Sequence, residues 1–221
     1  MPIKIITTED GSHSLFDEEL NETYHSTRGA KGESVHVFIK EGLEFWRDHN
    51  QEQEARILEV GLGTGLNAFL TAQFAGANNQ MVHFTSLEPF PIKKEIYEKL
   101  NYYESESEKA LLMKIHEADW ENEVEIFQNF KLLKTATKLE HFSTTTLFNL
   151  IYFDAFAPSK QAEVWALANI KKCYSMLASG GVLTTYCAQG KFKRNLSEAG
   201  FVVETLQGAM GKKEMVRALK P

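Results

Sequence analysis

The sequence has few cysteines, no long apolar run and no excess of basic residues. Its 221 residues include only two cysteines, Cys173 and Cys187, too few for a disulfide framework or a metal knuckle. The seven histidines are scattered and form no HExxH pair. No run approaches the ~18 apolar residues of a membrane span, and the N-terminus lacks a secretory pattern. These absences predict a soluble, cytoplasmic protein without a metal.

The charge is negative overall but unevenly distributed. The formal net charge of −6 argues mildly against bulk affinity for nucleic acid. Residues 190–221, however, carry seven basic side chains against three acidic ones, which makes this tail +4 and the rest of the chain −10. Such a tail is often a solvated helix followed by a lysine-rich edge strand. It could also face a polyanion, and the sequence leaves both interpretations open.

Strand and helix patterns alternate along the chain. A composition of 43% hydrophobic and 11% aromatic residues is enough for a real core. Short apolar runs that alternate with helical patterns are typical of an α/β domain with a mostly parallel sheet. Because no linker interrupts them, we expect residues 1–221 to form one domain, with residues 1–50 as an N-terminal extension packed on it.

The apolar periodicity predicts the individual elements. Strands are expected at residues 35–39, 56–60, 81–87, 130–134, 149–153 and 182–186, with a terminal strand pair at 201–206 and 214–219. Helices are expected at residues 41–49, 66–74, 92–103, 161–177 and 192–199, the fourth closed by a C-cap at Ser179-Gly180-Gly181. Residues 104–128 are acidic and stay unassigned.

The first motif is the glycine turn after the strand at 56–60. It runs from Glu59 to Asn67 as EVGLGTGLN, and alternating glycines let a ligand lie against the backbone. The dinucleotide fingerprint fails because Leu66 holds its last position, and no GK[ST] of a phosphate loop follows. An acid before the first glycine repels a pyrophosphate but suits an ammonium or sulfonium group. S-adenosylmethionine carries both, and a purely structural turn is the alternative.

The second motif is the acid at the end of the next strand. Glu88, in SLEPF, lies 23 residues after Gly65. In nucleotide-binding folds, an acid at about this distance accepts hydrogen bonds from a ribose diol. The alternative is an N-cap for a helix that starts near Pro91.

The third motif is IYFDAFAPSK, in which a buried-looking strand ends on Asp154. A carboxylate at such a place is costly unless it is paired or used. It could simply cap a helix, since Asp, Ser and Pro are common where helices begin. If its strand lies beside the glycine-loop strand, Asp154 instead faces the methyl-donor end of the cofactor.

Together these motifs resemble the methyltransferase domain of the MnmC family, which completes 5-methylaminomethyl-2-thiouridine at the wobble position of certain tRNAs. The resemblance runs in order from about residue 24 to the end, through LEVGLGTGLNAFL, SLEPFP, IYFDAFAPSKQAEVW, TTYCAQGKFKRNLSEAGF and GKKEMVRALKP. Bifunctional MnmC proteins carry a flavin-dependent oxidase domain after this one. Because the chain stops at Pro221, we expect the stand-alone form, sometimes called MnmD, with no fused oxidase domain.

The resemblance implies a Rossmann-like class I S-adenosylmethionine-dependent methyltransferase fold with a mostly parallel sheet and a C-terminal antiparallel strand. It implies N-methylation of the 5-aminomethyl group of a modified wobble uridine, with the tRNA anticodon loop as partner. The implied contacts are Glu59, Gly61, Gly63, Gly65 and Asn67 for the methionine part, Glu88 for the ribose, Asp154 for catalysis, and Phe156, Lys160, Lys212, Lys213 and Tyr24 for the substrate.

Two regions match the family only in part. The family often has a Gly-Asp pair where its adenine is recognised, but this chain has Thr135 and Ala136. The segment YHSTRGAKGESVHVF contains Tyr24, Ser26 and Glu33 and only partly resembles the family's N-terminal pattern. We expect the flipped wobble base to stack on an aromatic side chain, with Phe156, Tyr186 and Trp165 as candidates. At helical spacing, Trp165 is more often part of a core.

Rival functions share the fold. An aminopropyl transferase of the spermidine-synthase type would favour a second acid near Asp154, where DAFAPSK places Lys160. Another small-amine N-methyltransferase would use the same cofactor site. A binding protein that had lost catalysis would have lost the glycines or Asp154, and both are present.

Overall fold

The computed structural model describes residues 3–50 and 52–221, in which eleven strands form two sheets. The small N-terminal sheet contains β1 (Ile3–Thr7), β2 (His13–Asp17) and β3 (Glu22–Thr23). The large sheet contains β4 (Glu54–Val60), β5 (Met81–Leu87), β6 (Glu123–Phe127), β7 (Phe130–Thr135), β8 (Phe148–Phe153), β9 (Leu177–Thr185), β10 (Val202–Gln207) and β11 (Glu214–Leu219).

The helices connect these strands. An N-terminal helical segment consists of α1 (Ala30–Ser34), a π-helical stretch (Val35–Glu44) and α2 (Phe45–His49). The others are α3 (Leu66–Asn78), α4 (Lys94–Tyr97), α5 (Glu106–Glu117), α6 (Leu167–Met176) and α7 (Gly190–Ala199). None of the helices in the described residues is long and apolar enough to span a bilayer.

The strand order of the large sheet is β10-β11-β9-β8-β4-β5-β7-β6. The five central strands are parallel, whereas β6, β11 and β10 pair antiparallel at the edges. The chain leaves β4 toward β5 and later returns to β8 on its other side, so the topological switch point lies between β4 and β8. The predicted methyltransferase fold with a mostly parallel sheet is therefore confirmed.

Helices cover both faces of the large sheet. The N-terminal helical segment and α3 pack on one face, and α6 packs beside α7 against β9 on the other. All six residues of β8 are buried, as expected for a central parallel strand covered on both faces. The carboxyl ends of these strands are left open to hold a ligand.

The predicted strand at 35–39 is wrong, because these residues are helical. A short apolar run suits either a buried strand or a buried helix, and periodicity cannot separate them. Here Val37, Phe38, Leu43 and Trp46 are buried along one helical segment. Gly42 lets this segment approach the sheet closely, since an added Cβ would lie 3.2 Å from Thr184 Oγ1.

Three further element predictions need correction. The helix predicted at 92–103 is limited to α4, and the one predicted at 161–177 begins only at Leu167. The predicted C-cap at Ser179–Gly181 lies inside β9, where Gly180 donates to the carbonyl of Lys220 and Lys220 donates to that of Gly181. The unassigned residues 104–128 form α5 and β6.

Much of the tail's positive charge is used inside the fold. Arg217 forms ion pairs with Glu41 and Glu204. Lys220 donates to the carbonyls of Tyr174 and Leu177. The exposed cations of the tail are Lys191, Arg194 and Lys213. These paired cations fit neither interpretation of the tail, because they are not solvated and β11, which carries Arg217, is not the edge strand of the sheet. The exposed cations are left to face solvent or a polyanion.

Candidate active site

A cleft of about 460 Å³ opens at the carboxyl ends of the parallel strands. Residues from five separate parts of the chain line it, including Tyr24, Gly61, Gly63, Glu88, Leu139 and Asp154. The cleft lies at the switch point, where ligands of open α/β sheets bind. The described residues contain no cluster of three or more side chains that could ligate a metal ion.

The glycine loop forms the floor of the cleft, and its backbone requires glycine. Gly61 has φ +98°, and a Cβ there would lie 2.7 Å from the backbone oxygen of Asp154. Gly63 has φ +51°, and its Cβ would lie 3.1 Å from the ring of Tyr24. A side chain at either position would therefore strain the backbone and press on a neighbouring part of the cleft wall. Gly65, the N-cap of α3, instead faces His116.

Glu88 follows β5 and links the glycine loop to the segment after β5. Its Oε2 accepts a hydrogen bond of 2.9 Å from Gly63 N–H, and its Oε1 accepts one of 2.9 Å from Phe90 N–H. Burial raises the pKa of the carboxyl, and these two donors oppose that shift. Helix α4 has Lys93 as its N-cap, so the helix-capping interpretation of Glu88 is wrong. Each oxygen keeps a lone pair that could accept from a ribose hydroxyl.

Glu59 and Asn67 lie behind the glycine loop, not on the wall of the cleft. Glu59 is fully buried and accepts a hydrogen bond from Ser86 Oγ. Burial raises the pKa of Glu59 to about 8, although the Ser86 hydroxyl opposes it. Within the described part of the chain, Glu59 Oε1 and Asn67 Oδ1 have no hydrogen-bond partner. These two unsatisfied oxygens favour a cation or a hydrogen-bond donor that binds on the cleft side of the glycine loop.

Asp154 follows β8 and is half-buried at the edge of the cleft. Its Oδ2 accepts a 2.7 Å hydrogen bond from Asn67 Nδ2. Burial raises the pKa of Asp154 to about 7, the Asn67 bond opposes this, Glu33 adds to it and Lys212 lowers it. The next helix, α6, begins thirteen residues later with Ala166 as its N-cap. Asp154 therefore caps no helix, and that alternative is wrong.

Aromatic side chains wall the cleft beside Asp154. The rings of Tyr24 and Phe156 meet edge to face, with centroids 4.8 Å apart. Tyr186 donates from its hydroxyl to the carbonyl of Ala155 at 2.8 Å. Trp165 is buried and donates to the carbonyl of Phe156. Trp165 therefore supports the wall from within the core, whereas Phe156 and Tyr24 face the cleft.

The three lysines predicted for the substrate differ in their surroundings. Lys160 donates from Nζ to the carbonyl of Leu20 at 2.8 Å, which ties the loop after Asp154 to the turn before Tyr24. Lys212 forms an ion pair with the buried Glu33. Lys213 is exposed. The structure thus separates two adjacent lysines that the sequence treats as one group.

Some lining residues were not predicted from the sequence. Residues 137–139 line the cleft beyond Glu88, on the side where the family's adenine contact is expected. Thr135 and Ala136 both bond to Glu121 instead, through Thr135 Oγ1 and Ala136 N–H. His25 also lines the cleft and, being buried, has a pKa lowered to about 4. No spacing rule identifies these residues, because turns far apart in sequence bring them together.

The residues of the cleft fit S-adenosylmethionine better than a dinucleotide. Glu88 provides acceptors for a diol, the glycine backbone leaves room for a ligand, and the Asp154 carboxyl, whose pKa is about 7, can carry a negative charge that favours a cationic ligand. Two lysines line the described part of the cleft: Lys160 is bonded to a backbone carbonyl, and Lys138 lies after β7, outside the glycine loop. The glycine loop itself carries no basic side chain that could pair with a pyrophosphate.

Comparison with known proteins agrees with this geometry. A family model described as S-adenosyl-L-methionine-dependent methyltransferase matches residues 94–221, more than half of the chain. The chain is 30% identical over 237 residues to the tRNA 5-methylaminomethyl-2-thiouridine biosynthesis bifunctional protein MnmC of Burkholderia mallei (strain SAVP1), covering 98% of this chain and 35% of that protein. The MnmC of Campylobacter hominis is 28% identical over 214 residues, covering 92% and 31%.

The chain thus spans about a third of the length of these relatives. Among solved structures, MnmC2 from Aquifex aeolicus superimposes with a TM-score of 0.82 at 21% identity, covering 100% of this chain and 71% of that one. DesVI from Streptomyces venezuelae superimposes with a TM-score of 0.54 at 10% identity, covering 86% and 93%. Both likenesses confirm the fold. The resemblance to MnmC is confirmed, and the chain belongs to the family of S-adenosyl-L-methionine-dependent methyltransferases.

Proposed function

We propose that the chain methylates the 5-aminomethyl group of a modified wobble uridine in tRNA, giving 5-methylaminomethyl(-2-thio)uridine. The observation that carries this proposal is Asp154, a half-buried carboxylate with a pKa of about 7 beside an aromatic wall. Such a group attracts an ammonium and can take a proton from it. The similarity to proteins named for 5-methylaminomethyl-2-thiouridine biosynthesis supports the choice of amine.

The cofactor would lie along the glycine loop. We propose that Gly61 and Gly63 contact its methionine part and that Glu88 accepts from its ribose hydroxyls. When bound, S-adenosylmethionine supplies a methyl group on a sulfonium sulfur. Glu59, Gly65 and Asn67 lie behind the loop wall, so we propose that they act on the cofactor by supporting the loop, with the buried Glu59 in its neutral form near pH 7.

The chain's own residues must bind the amine and let it lose a proton. An alkylamine has a pKa of ~10, like that of lysine, and is mostly an ammonium at neutral pH. Only the free amine has a lone pair that can attack a methyl group. Asp154 would hold the ammonium by a charge-assisted hydrogen bond and then accept its proton. Orientation of the amine supplies a further share of the rate.

The base itself would meet the aromatic wall. A wobble base lies in a single-stranded loop and can be splayed out and stacked on an aromatic face. Phe156 and Tyr24 are the aromatic pair nearest the opening, and Lys160 fixes the loop that carries Phe156. The exposed Lys213 would contact phosphates of the anticodon loop.

We propose further that residues 1–50 belong to the same functional unit as the rest of the chain. Tyr24 and His25 line the cleft, and Glu33 pairs with Lys212 at the other end of the sequence. A substrate of this kind also places the activity in the cytoplasm, where tRNA is modified. The rival aminopropyl transfer has no supporting observation, because the family is one of methyltransferases.

The proposal is tested in a strain that lacks the gene. Mass spectrometry of its tRNA nucleosides should show the 5-aminomethyl form in place of the 5-methylaminomethyl form. The wild-type gene should restore the methylated nucleoside, and a gene that encodes Asp154→Asn should not. An unchanged nucleoside profile in the deletion strain would remove the proposed substrate while leaving the family assignment intact.

A further inference from the structure

The C-terminal loop, residues 208–213, is fastened to the start of the N-terminal helical segment. The side chain of Met210 packs tightly on Gly29 and Gly32. A Cβ added to Gly29 would lie 2.6 Å from Met210 Cε, and one added to Gly32 would lie 2.7 Å from Met210 Sδ. Arg28 donates to the carbonyl of Met210, and His36 Nε2 lies 2.9 Å from the carbonyl of Gln207. These contacts within the protein are enough to fix the position of the loop, and therefore of Lys212.

Lys212 turns from this loop toward the cleft. Its Nζ contacts the carboxylate of Glu33 and lies 4.8 Å from the ring centroid of Tyr186. The hydroxyl of the same Tyr186 donates to Ala155, the residue next to Asp154. The other oxygen of Glu33 accepts from Ser26 N–H at 3.0 Å, so Glu33 is itself held in place. An ammonium and a carboxylate are therefore fixed as a pair beside Tyr186, whose hydroxyl binds the residue next to Asp154.

The two charges of this pair act on Asp154 in opposite directions. Glu33 raises the pKa of Asp154, and Lys212 lowers it. The other groups that interact with these charges come from the glycine-loop strand, α3, the segment after β3 and the residues after β9. They are Glu59, Asn67, His25, Tyr186 and Cys187. Because the Lys212 ammonium is paired with Glu33, the Asp154 carboxylate can pair with a different cation.

An amine substrate sets two requirements that conflict. It binds as an ammonium, which carboxylates favour, but it reacts as a free base, which carboxylates oppose. Asp154 and Glu33 without a nearby cation would hold the proton on the amine. A free Lys212 without Glu33 would pair with Asp154 and compete with the amine. On these grounds we propose that Lys212, held by Glu33, is a positioning residue that sets the protonation of the substrate amine at Asp154.

This inference rests on the proposed function and makes it more specific. It gives Lys212 a role in charge balance, in place of the phosphate contact that the sequence predicts. It also explains why the adjacent Lys213 is exposed while Lys212 is paired. A phosphate contact would change the KM for tRNA and its salt dependence. A charge-balancing lysine would instead change the pH at which the enzyme becomes active.

The first measurement needs no substrate. The carboxyl ¹³C signal of Asp154 is titrated in the cofactor-free protein, where the wild-type midpoint should lie near pH 7. Lys212→Met should raise the midpoint by about one pH unit, and Glu33→Gln should lower it. The double variant should return close to the wild-type midpoint, because both opposing charges are gone. Lys213→Met is the matched control, one residue away on the same loop, and should leave the midpoint in place.

The second measurement is the pH profile of kcat/KM for methyl transfer to tRNA. Lys212→Met should move the acid limb to higher pH by about one unit, and Lys212→Arg should restore it because the charge returns. Glu33→Gln should move the limb to lower pH and raise the KM. Thermal unfolding and cofactor binding check that each variant is folded. If Lys212→Met does not fold, the direction in which Glu33→Gln moves the Asp154 midpoint and the acid limb decides the test.

The outcomes separate the two claims. An active wild-type enzyme in which these variants leave both the titration and the acid limb unchanged would overturn the charge-balancing role of Lys212. A salt-dependent rise in KM for Lys212→Met, with no shift of the limb, would do the same and return Lys212 to phosphate binding. A wild-type chain that transfers no methyl group to tRNA would overturn the proposed function, and with it the amine half of this inference.

Discussion

The two ends of the cleft differ in how far along the chain their residues lie from each other. The proposed cofactor end consists of the loop from Glu59 to Asn67 and one acid, Glu88, that follows the neighbouring strand. The proposed transfer end consists of Tyr24, Glu33, Asp154 and Lys212, which come from both termini and the middle of the chain. A compact motif therefore identifies the cofactor, whereas the acceptor depends on contacts that only the folded chain brings together.

Removal of the Asp154 charge should have the largest effect and should fall on the transfer end alone. Asn in place of Asp154 keeps the shape and can accept the bond from Asn67. It loses the charge that attracts an ammonium, so kcat/KM at pH 7 should fall roughly 10²-fold or more. In the wild type, activity should decline as the pH falls below the Asp154 pKa of about 7. The variant should partly recover at pH 9, where free amine is common.

Binding of S-adenosylmethionine, measured by calorimetry, is the control for this variant. It should stay close to the wild-type affinity, since Asn preserves the hydrogen bond behind the loop. Wild-type turnover by Asp154→Asn at pH 7 would show that the carboxylate has no part in the reaction.

Gly61→Ala should damage the cofactor end. The new Cβ would lie 2.7 Å from a backbone oxygen, at a φ of +98°. Strain of this kind costs roughly 1–3 kcal/mol, so the affinity for S-adenosylmethionine should fall roughly 10- to 100-fold. Gly76→Ala on α3 is the matched control, because its Cβ would make an ordinary contact of 3.8 Å with Phe127. Equal affinities for the two variants would contradict the assigned floor of the cleft.

Glu59→Gln should change the thermal stability of the cofactor-free protein in a pH-dependent way. Its folded pKa of about 8 lies above the ordinary 4.5, so the protonated form suits the folded protein. The stability that the acid contributes is fully present below pH 4.5 and is lost as the pH rises through 8. Gln stays neutral, and the cofactor-free variant should melt about 4 °C or more above the wild type at pH 8. The difference should shrink at pH 5, and a lower melting temperature at pH 8 would refute the buried-acid account.

Lys213→Ala should give the smallest effect. This side chain is exposed, so it should act only through the charge of the tRNA backbone. The KM for tRNA should rise a few-fold at low salt, and the slope of log KM against log salt should change by about one. The cofactor affinity should not change. A variant whose KM for tRNA equals that of the wild type at low salt, with the same salt slope, would show that Lys213 makes no phosphate contact.

Local patterns were enough to predict the strand, loop and helix of the proposed cofactor end. A strand that runs into alternating glycines and a helix was predicted at 56–74, and β4, the loop and α3 lie there. The antiparallel pair at the C-terminus was also predicted, as was the partnership of β4 with the strand that ends on Asp154. These features depend on residues close in sequence, or on the general rule for strand ends in a parallel sheet.

Tertiary packing decided the rest. Residues 35–39 have the composition of a strand, but burial against the sheet makes them helical. Lys212 and Lys213 are alike in sequence, but the packing of Met210 on Gly29 and Gly32 and the hydrogen bond from Arg28 to Met210 place Lys212 beside Glu33. No propensity scale carries that information, because the partners lie 179 residues apart.

The most direct test of methyl transfer to a tRNA amine uses purified protein and S-adenosylmethionine with a deuterated methyl group. Three acceptors are compared: tRNA from the strain that lacks the gene, the same tRNA with its amine blocked by acetylation, and putrescine. Mass spectrometry of the products should place the labelled methyl on the wobble nucleoside of the first acceptor and on neither of the others. Label on putrescine, or on the acetylated tRNA, would contradict the account.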